Sequence, residues 1–445
     1  MEKENFIKKY KDTTFLIVGF TYRTGYSVAK FFDDNNFKYK ISDIKKNQSL
    51  LSKLNNCIEF FSGTQYPDQL DGIDVVIISP GVPRAIPLIK TAEIKNIPVF
   101  SDIDFFFPLL EKKEIIAITG TDGKTTTVKL LEDIFNKHKK VKIAGNVGIP
   151  IALMIEEIDV FETLILEMSS FSLENIKNFK PNISTVINIA DDHLNRYANI
   201  NEYAKTKFNI VKYCDENDFF VKNLDNDFTE KFEKKDLKIK TISRSDKDAN
   251  YYFENNNFYC NGNYFSYSDC VLKGNHNIEN ILVSIAISDI SGIPFKIIEQ
   301  SITKFSGLSH RLEFAGNLKG IDIYNDSKAT TTHAVESALE SFPKNIILII
   351  GGQDKGLDFS GVKAYEDKIK FLVCYGESGD EIRNVLDLEN SIFIRDFSEA
   401  VSFATNQANR GDTILLSPGC SSWDQHNSFE ERGNIFKDIV KKNLG

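Results

Sequence analysis

The chain has 445 residues, a length that suggests about three domains. It is 42% hydrophobic and 26% charged, the balance of a globular protein with a large core. Its net charge of −9 argues against a nucleic-acid protein driven by phosphate neutralisation, but leaves room for a local basic pocket.

The amino terminus, MEKENFIKKYKD, is charged and polar and does not read as a targeting signal. The longest apolar runs, such as Ile346–Ile350, have strand length and are too short to span a bilayer. Cys57, Cys214, Cys260, Cys270, Cys374 and Cys420 form no CxxC pair and no zinc-spaced cluster. Reduced thiols of a cytoplasmic protein are expected, with no membrane and no nucleic acid as partners.

In chain order, Phe15–Val18 reads as a strand, Ser27–Phe37 as a helix, and Tyr39–Ser42 and Val75–Ile78 as strands. That rhythm predicts βαβ units and a parallel sheet. A second α/β rhythm opens at Glu114, with a strand at Ile115–Ile118 and a helix whose Val128, Leu131 and Phe135 share one face. Leu164–Leu166 and Val186–Ile189 are further strands, and the polar, Asn-rich stretch 223–272 shows only short strand patterns. A third rhythm begins near Gly307, with strands at Ile321–Tyr324, Ile346–Ile350, Phe371–Cys374 and Thr413–Leu416. The expected fold is α/β in three domains, 1–102, 103–307 and 308–445.

The strongest local signal is ITGTDGKTTT, Ile118 to Thr127. It follows a strand and opens a helix, the context a phosphate loop needs. Small residues let backbone N–H groups approach phosphates, and the helix N-terminus favours negative charge. Lys124 can reach terminal phosphates and the Thr125 hydroxyl can bind Mg²⁺. The sequence is not a complete Walker A motif, because Ile118 stands where its first glycine would be. An ordinary tight turn is the bland alternative, but it leaves the Gly-Lys-Thr unexplained.

Downstream, Glu167 ends a strand, where open α/β sheets face their ligand crevice. Read alone it is more simply a solvated acid. Asp191, Asp192 and His193 follow the strand Thr185–Ile189, and a histidine beside two acids suits a metal. Lys207, in YAKTKFNI, reads locally as one surface lysine among many.

Taken together these segments resemble the Mur ligase family. The resemblance runs from about Phe15 to Phe436 through TGTDGKTT (119–126), GNVGIP (145–150), LEMSSFSLE (166–174), NIADDHLNRY (188–197) and YAKTK (203–207). It continues through GNHNIEN (274–280), GLSHRLE (307–313), NDSKATTT (325–332), GGQDKGLDFS (351–360) and LSPGCSSWDQ (416–425). It implies a Rossmann-like UDP-binding domain, a central P-loop-type ATPase domain with a mostly parallel sheet, and a Rossmann-like C-terminal domain that brings the amino acid. It also implies a monomer that ligates D-glutamate to UDP-N-acetylmuramoyl-L-alanine through an acyl phosphate made from ATP.

The implied roles follow position. Gly120, Thr121, Asp122, Gly123, Lys124, Thr125 and Thr126 would hold the ATP phosphates. Asn277, Asn280, Arg311 and Asp326 would make further ATP contacts. Thr125, Glu167, His193 and Lys207 would hold two Mg²⁺ ions, with Lys207 carbamylated. Lys124, Glu167, His193 and Lys207 would carry the catalysis. Thr21, Arg23, Asp43, Asn146, Ser169 and Asp192 would hold the UDP-linked substrate. Lys328, Thr330, Lys355, Ser422 and Phe429 would form the D-glutamate pocket.

Three departures stand out. Asp122 occupies a position where the family usually has Asn. The first loop, GFTYRTG (19–25), is longer than the usual glycine-rich turn. His426 follows Asp424-Gln425 where an aromatic residue is more usual. The rivals are another amide ligase of this superfamily, such as a folylpolyglutamate synthase type, and a nicotinamide-dependent dehydrogenase or non-catalytic nucleotide-binding module. The first family usually starts with its phosphate loop, whereas about 100 residues precede it here. The second leaves the phosphate loop unexplained, and Gly19 and Gly25 do not make GxGxxG.

Overall fold

The computed structural model describes residues 1–174, 176–190, 196–272, 274–307, 309–353 and 358–445. Three sheets organise them. In the first, β1 (Thr14–Val18), β2 (Lys38–Asp43), β3 (Cys57–Ser62), β4 (Val75–Ile78) and β5 (Val99–Ser101) are all parallel, in the order β3-β2-β1-β4-β5. Val76, Ile77 and Ile78 are fully buried, as expected for a parallel strand covered on both faces. The order reverses at β1, so the turns after β1 and β4 border a crevice.

The second sheet contains β6 (Glu114–Thr119), β7 (Val141–Gly145), β8 (Thr163–Glu167), β9 (Ile183–Val186), β10 (Phe219–Asn223) and β11 (Lys238–Ser243). It ends in the meander β12 (Tyr251–Glu254), β13 (Asn257–Cys260) and β14 (Asn263–Ser266). The order is β14-β13-β12-β11-β10-β9-β6-β8-β7, and only the meander is antiparallel. The helix Lys124–Asn136 buries Val128, Leu131 and Phe135 completely, the face its spacing predicts.

The third sheet holds β15 (Glu313–Leu318), β16 (Ile321–Asn325), β17 (Ile346–Gly351), β18 (Ile369–Tyr375), β19 (Ser391–Phe393) and β20 (Thr413–Gly419). Their order is β15-β16-β20-β17-β18-β19, with β15 antiparallel and the others parallel. The chain divides into two compact units, one of residues 1–269 and 278–302, the other of 270–277 and 303–445. The first unit thus contains the first two sheets, and the second contains the third.

Two expected elements end early. The helix from Ser27 stops at Asp34, not Phe37, because Asn36 takes a left-handed φ of 56° and Phe37 N–H closes back on Phe32 O at 2.9 Å. The strand expected through Ile189 stops at Val186. Beyond it the chain bonds the phosphate loop: Thr121 N–H donates to Asn188 O at 3.0 Å, and Asp122 N–H to Asn188 Oδ1 at 2.9 Å.

Candidate active site

The phosphate loop joins β6 to the helix Lys124–Asn136. Gly123 sits at the helix N-cap with φ +79°, and a Cβ there would lie 2.1 Å from Asn280 Oδ1. Glycine is therefore required both by conformation and by close approach. The Asn280 side chain is buried on the helix Asn275–Ile290 and accepts from the Thr127 hydroxyl at 3.2 Å. Lys124 Nζ donates to Gly120 O at 2.8 Å and to Thr121 O at 2.7 Å. Thr126 is buried, Thr125 is half-buried and Asp122 is exposed.

Lys207 overturns its local reading as a surface lysine. It is 1% exposed, donates to Gly120 O at 2.8 Å and lies 4.5 Å from the Tyr203 ring centroid. Tyr203 was not singled out from the sequence, yet its hydroxyl lies 3.4 Å from Thr121 Oγ1. Glu167 likewise is no solvated acid. It ends β8, directly beside β6, and is 4% exposed. Its Oε2 is buried without a hydrogen-bond partner among the described residues. A buried carboxylate oxygen left unpaired is costly, and a cation would satisfy it. The donor set thus fits Mg²⁺, a hard cation that takes oxygen ligands. His193, Asp191 and Asp192 lie outside the described residues, so their part in the site is untouched by these observations.

A crevice of about 610 Å³ runs from Glu167 and Ser169 past Asn146 to Thr21, Arg23 and Asp43. Asn146 is exposed and its N–H donates to Glu167 O at 2.9 Å. The Ser169 hydroxyl accepts from Ser172 N–H at 3.1 Å. Asp43 holds the long first loop, accepting from Phe20 N–H and, at 2.9 Å, from Lys45 N–H. Arg23 donates to the carbonyls of Gly145 and Gly148. Asp102 was missed from the sequence, although it lines the same crevice. Burial pushes its carboxyl up to about 6, against the pull of Ile103 N–H and Arg23.

In the second unit, a polar group gathers where β16 and β20 end. Asp326 is 5% exposed, and its carboxylate accepts from Leu312 N–H at 3.0 Å and Ser417 OH at 2.8 Å. Burial pushes it up to about 7, opposed by Ser417, Leu312 N–H, Arg311 and Arg432. Lys328 Nζ lies 5.4 Å from the Phe429 ring centroid, at the start of the helix Phe429–Leu444. Thr330 and Arg311 are half-buried and Ser422 is buried. Asn277 is buried with its N–H on Gly274 O at 2.9 Å. Arg432, also missed, is fully buried and donates to Ser327 Oγ, Ser327 O, Cys420 O and Tyr375 OH. Lys355 lies outside the described residues.

Three family models match: the Mur ligase MurD-like N-terminal domain over residues 13–101, the Mur ligase middle domain over 118–288, and the Mur ligase glutamate ligase domain over 310–420. A UDP-N-acetylmuramoylalanine–D-glutamate ligase of Thermoanaerobacter pseudethanolicus is 36% identical over 435 residues, covering 94% of this chain and 96% of its own. The enzyme of the same name from Clostridioides difficile is 36% identical over 441 residues, covering 96% and 97%. Among solved structures, MurF of Acinetobacter baumannii has a TM-score of 0.63 at 13% identity, covering 99% of each chain. MurC of Thermotoga maritima has a TM-score of 0.58 at 19% identity, covering 96% and 99%. These two likenesses bear on the fold alone, and they match the α/β architecture of three mostly parallel sheets. With the family models in chain order and relatives matched along nearly their whole length, the chain belongs to the Mur ligase family and is an ATP-dependent amide ligase.

Proposed function

We propose that this enzyme joins D-glutamate to UDP-N-acetylmuramoyl-L-alanine at the expense of ATP, in the synthesis of peptidoglycan precursors. The observation that carries the reading is the pairing, at adjacent strand ends, of a phosphate loop with a buried carboxylate oxygen that lacks a partner. That pairing belongs to chemistry on a polyanion with a bound cation. The names of the full-length relatives supply the substrates.

The alanyl carboxylate oxygen attacks the γ-phosphorus of ATP, the bond to the β-phosphate oxygen breaks, and ADP leaves. The D-glutamate amine then attacks the carbonyl carbon of the acyl phosphate. The amide forms, inorganic phosphate leaves, and the amine gives up its proton. Lys124 and the loop N–H groups of 120–126 orient and neutralise the phosphates. Asn277, Asn280, Arg311 and Asp326 make the remaining ATP contacts. Bound Mg²⁺, two ions in this reading, supplies charge neutralisation, and Thr125, Glu167, His193 and Lys207 would hold it. A carbamate on Lys207 would turn that amine into an oxygen ligand. It forms on the neutral amine.

Thr21, Arg23, Asp43, Asn146, Ser169 and Asp192 serve the UDP-linked substrate. Lys328, Thr330, Lys355, Ser422 and Phe429 serve D-glutamate. The family-model matches support domains at 1–102, 103–307 and 308–445. The reading places a monomer in the cytoplasm; among the described residues no helix is long and apolar enough to cross a membrane. Phosphate release with UDP-N-acetylmuramoyl-L-alanine and a panel of amino acids tests it. D-glutamate should be strongly preferred, with ADP and phosphate formed in step with product. Equal use of D-glutamine, or turnover without ADP, would overturn the assignment.

A further inference from the structure

Two arginines tie the loops around the crevice to one another in opposite directions; Arg23 lines the crevice itself, and Arg196 reaches Pro80 and Gly81, which line it. Arg23 belongs to the turn after β1, in the first sheet. Its Nε and Nη2 donate to Gly145 O at 3.2 and 2.9 Å, and Nη2 also to Gly148 O at 3.0 Å. Those carbonyls belong to the loop after β7, in the second sheet. Arg196 follows β9, in the second sheet. Its Nη1 donates to Gly81 O at 3.3 Å and its Nη2 to Pro80 O at 3.4 Å, in the turn after β4 of the first sheet. Each guanidinium thus starts from one sheet and ends on the backbone of the other.

Arg196 is itself held in place. Glu174 grips it bidentately, Nε to Oε1 at 2.8 Å and Nη2 to Oε2 at 2.6 Å, and Tyr197 OH donates to Glu174 Oε1 at 2.7 Å. Its guanidinium carbon lies 4.4 Å from the centroid of Phe171, a ring that lines the crevice. A planar fork fixed on both edges is a spacer of set length, which a flexible lysine is not.

Besides the arginines, short backbone bonds hold these loops: Asn146 N–H donates to Glu167 O and Ile149 N–H to Ile143 O, both at 2.9 Å, and Val82 N–H to Ser79 O at 3.0 Å. A Cβ on Gly145 would lie 2.2 Å from Glu167 O, and one on Gly148 would lie 2.2 Å from Ile143 O. The tight turn therefore needs glycine at both positions and lacks side chains that could brace it there. Gly81 has nothing within 4 Å of where its Cβ would be. Charge points the same way. The crevice is lined by the carboxylates of Asp43, Asp102 and Glu167. An anionic diphosphate enters such a space only where cations offset those charges.

We propose that Arg23 and Arg196 are a reciprocal pair of positioning residues that fix the width of this crevice for the nucleotide-diphosphate-linked acceptor, holding its reactive end in register with Glu167. The inference rests on the function proposed above. It gives Arg23 a role on the protein's own backbone and brings in Arg196, which lies within NIADDHLNRY but was given no role there.

The test uses the full chain with Arg23→Lys, Arg196→Lys and the double variant, which keep the cation and remove the fork. Calorimetry gives the affinity for UDP-N-acetylmuramoyl-L-alanine, kinetics give KM for each substrate, and thermal melts report the fold. Each single variant should bind the acceptor about tenfold more weakly while the ATP KM stays within about twofold. The double variant should lose less than the product of the singles, because both arginines set one distance. Unchanged acceptor binding in the variants overturns the proposal alone. So does a parallel loss of ATP affinity or a collapse of the melting temperature, since the forks would then hold the fold and not the crevice. A wild-type chain that fails to bind the acceptor overturns the assigned function and this pair with it.

Discussion

The turn after β6 and the turn after β1 both join a parallel strand to a helix and both border the ligand space, yet they are held in different ways. The phosphate loop is fixed from close by. Asn188, Lys124, Lys207 and Asn280 converge on its backbone, and Gly123 has the left-handed conformation it needs. The first loop is fixed partly at long range. Asp43 and the Ser79 hydroxyl hold Phe20 and Gly19, but Arg23 reaches partners 122 and 125 residues away. A loop that must present bare backbone N–H groups to phosphate restricts its own sequence. A loop that works through one long side chain restricts residues elsewhere.

The largest effect is expected where the phosphate loop meets its neighbouring strand. Glu167→Gln keeps the shape and removes the charge. If the unpaired Oε2 holds a cation, turnover should fall on the order of 10²–10³-fold. Acceptor binding should change little, and the ligand-free protein should melt no lower than wild type, because a buried charge has been removed. Steady-state kinetics and a thermal melt decide. Turnover near that of wild type would make Glu167 a structural acid and remove the sharpest feature of the phosphate side.

How much could be read in advance follows the same division. The strand before the phosphate loop, the buried helix face after it and Glu167 at the end of β8 were all legible, because period and motif are local signals. The burial of Lys207 was not. A lysine in YAKTK looks like any surface lysine until the helix Ile200–Phe208 sets it beside Tyr203 and against Gly120 O. Arg196 was hidden for the same reason. Its four partners, Pro80, Gly81, Phe171 and Glu174, come from two sheets. The early end of β9 was hidden too, because Ile187 and Ile189 flank Asn188 in the alternation of a strand, while Asn188 turns away to bond the phosphate loop.

A matched pair of glycine variants sharpens the contrast. Gly123→Ala faces a left-handed φ of 79° and Asn280 Oδ1 at 2.1 Å. The ATP KM should rise about 10–100-fold, from conformational strain and displacement of that side chain. Gly25→Ala would bring a Cβ to 2.0 Å from Gly19 O, so the first loop must shift. There the acceptor KM should rise and the ATP KM should stay near wild type. If both variants damage the same substrate, the two loops are not separate devices.

Asp102 offers a smaller probe of the Arg23 side. Its carboxyl is raised by burial from 3.8 to about 6. A carboxyl raised on folding contributes stability that is full below about pH 3.8 and is lost as pH rises through about 6. Asp102→Asn should abolish that loss. Its unfolding free energy in urea should therefore gain on wild type across this window, by up to about 3 kcal/mol at neutral pH. Parallel stability profiles for the two proteins would show that Asp102 is not titrating there.

The smallest effect is expected at Asp122, the residue that departs from the family's usual Asn. A carboxylate in a phosphate loop ought to repel ATP. But Asp122 is exposed, and its backbone N–H donates to Asn188 Oδ1 at 2.9 Å. That bond does not depend on the side chain. An exposed charge is also screened by water and salt, so its repulsion of the phosphates is weak. Asp122→Asn should therefore keep the fold of the loop and lower the ATP KM by no more than about threefold, an effect that fades as salt is raised. Titrating ATP at low and high ionic strength measures it directly. Loss of ATP binding would mean that the carboxylate takes part in holding the nucleotide, and that the phosphate loop, like the loop after β1, also relies on a side chain that its motif does not reveal.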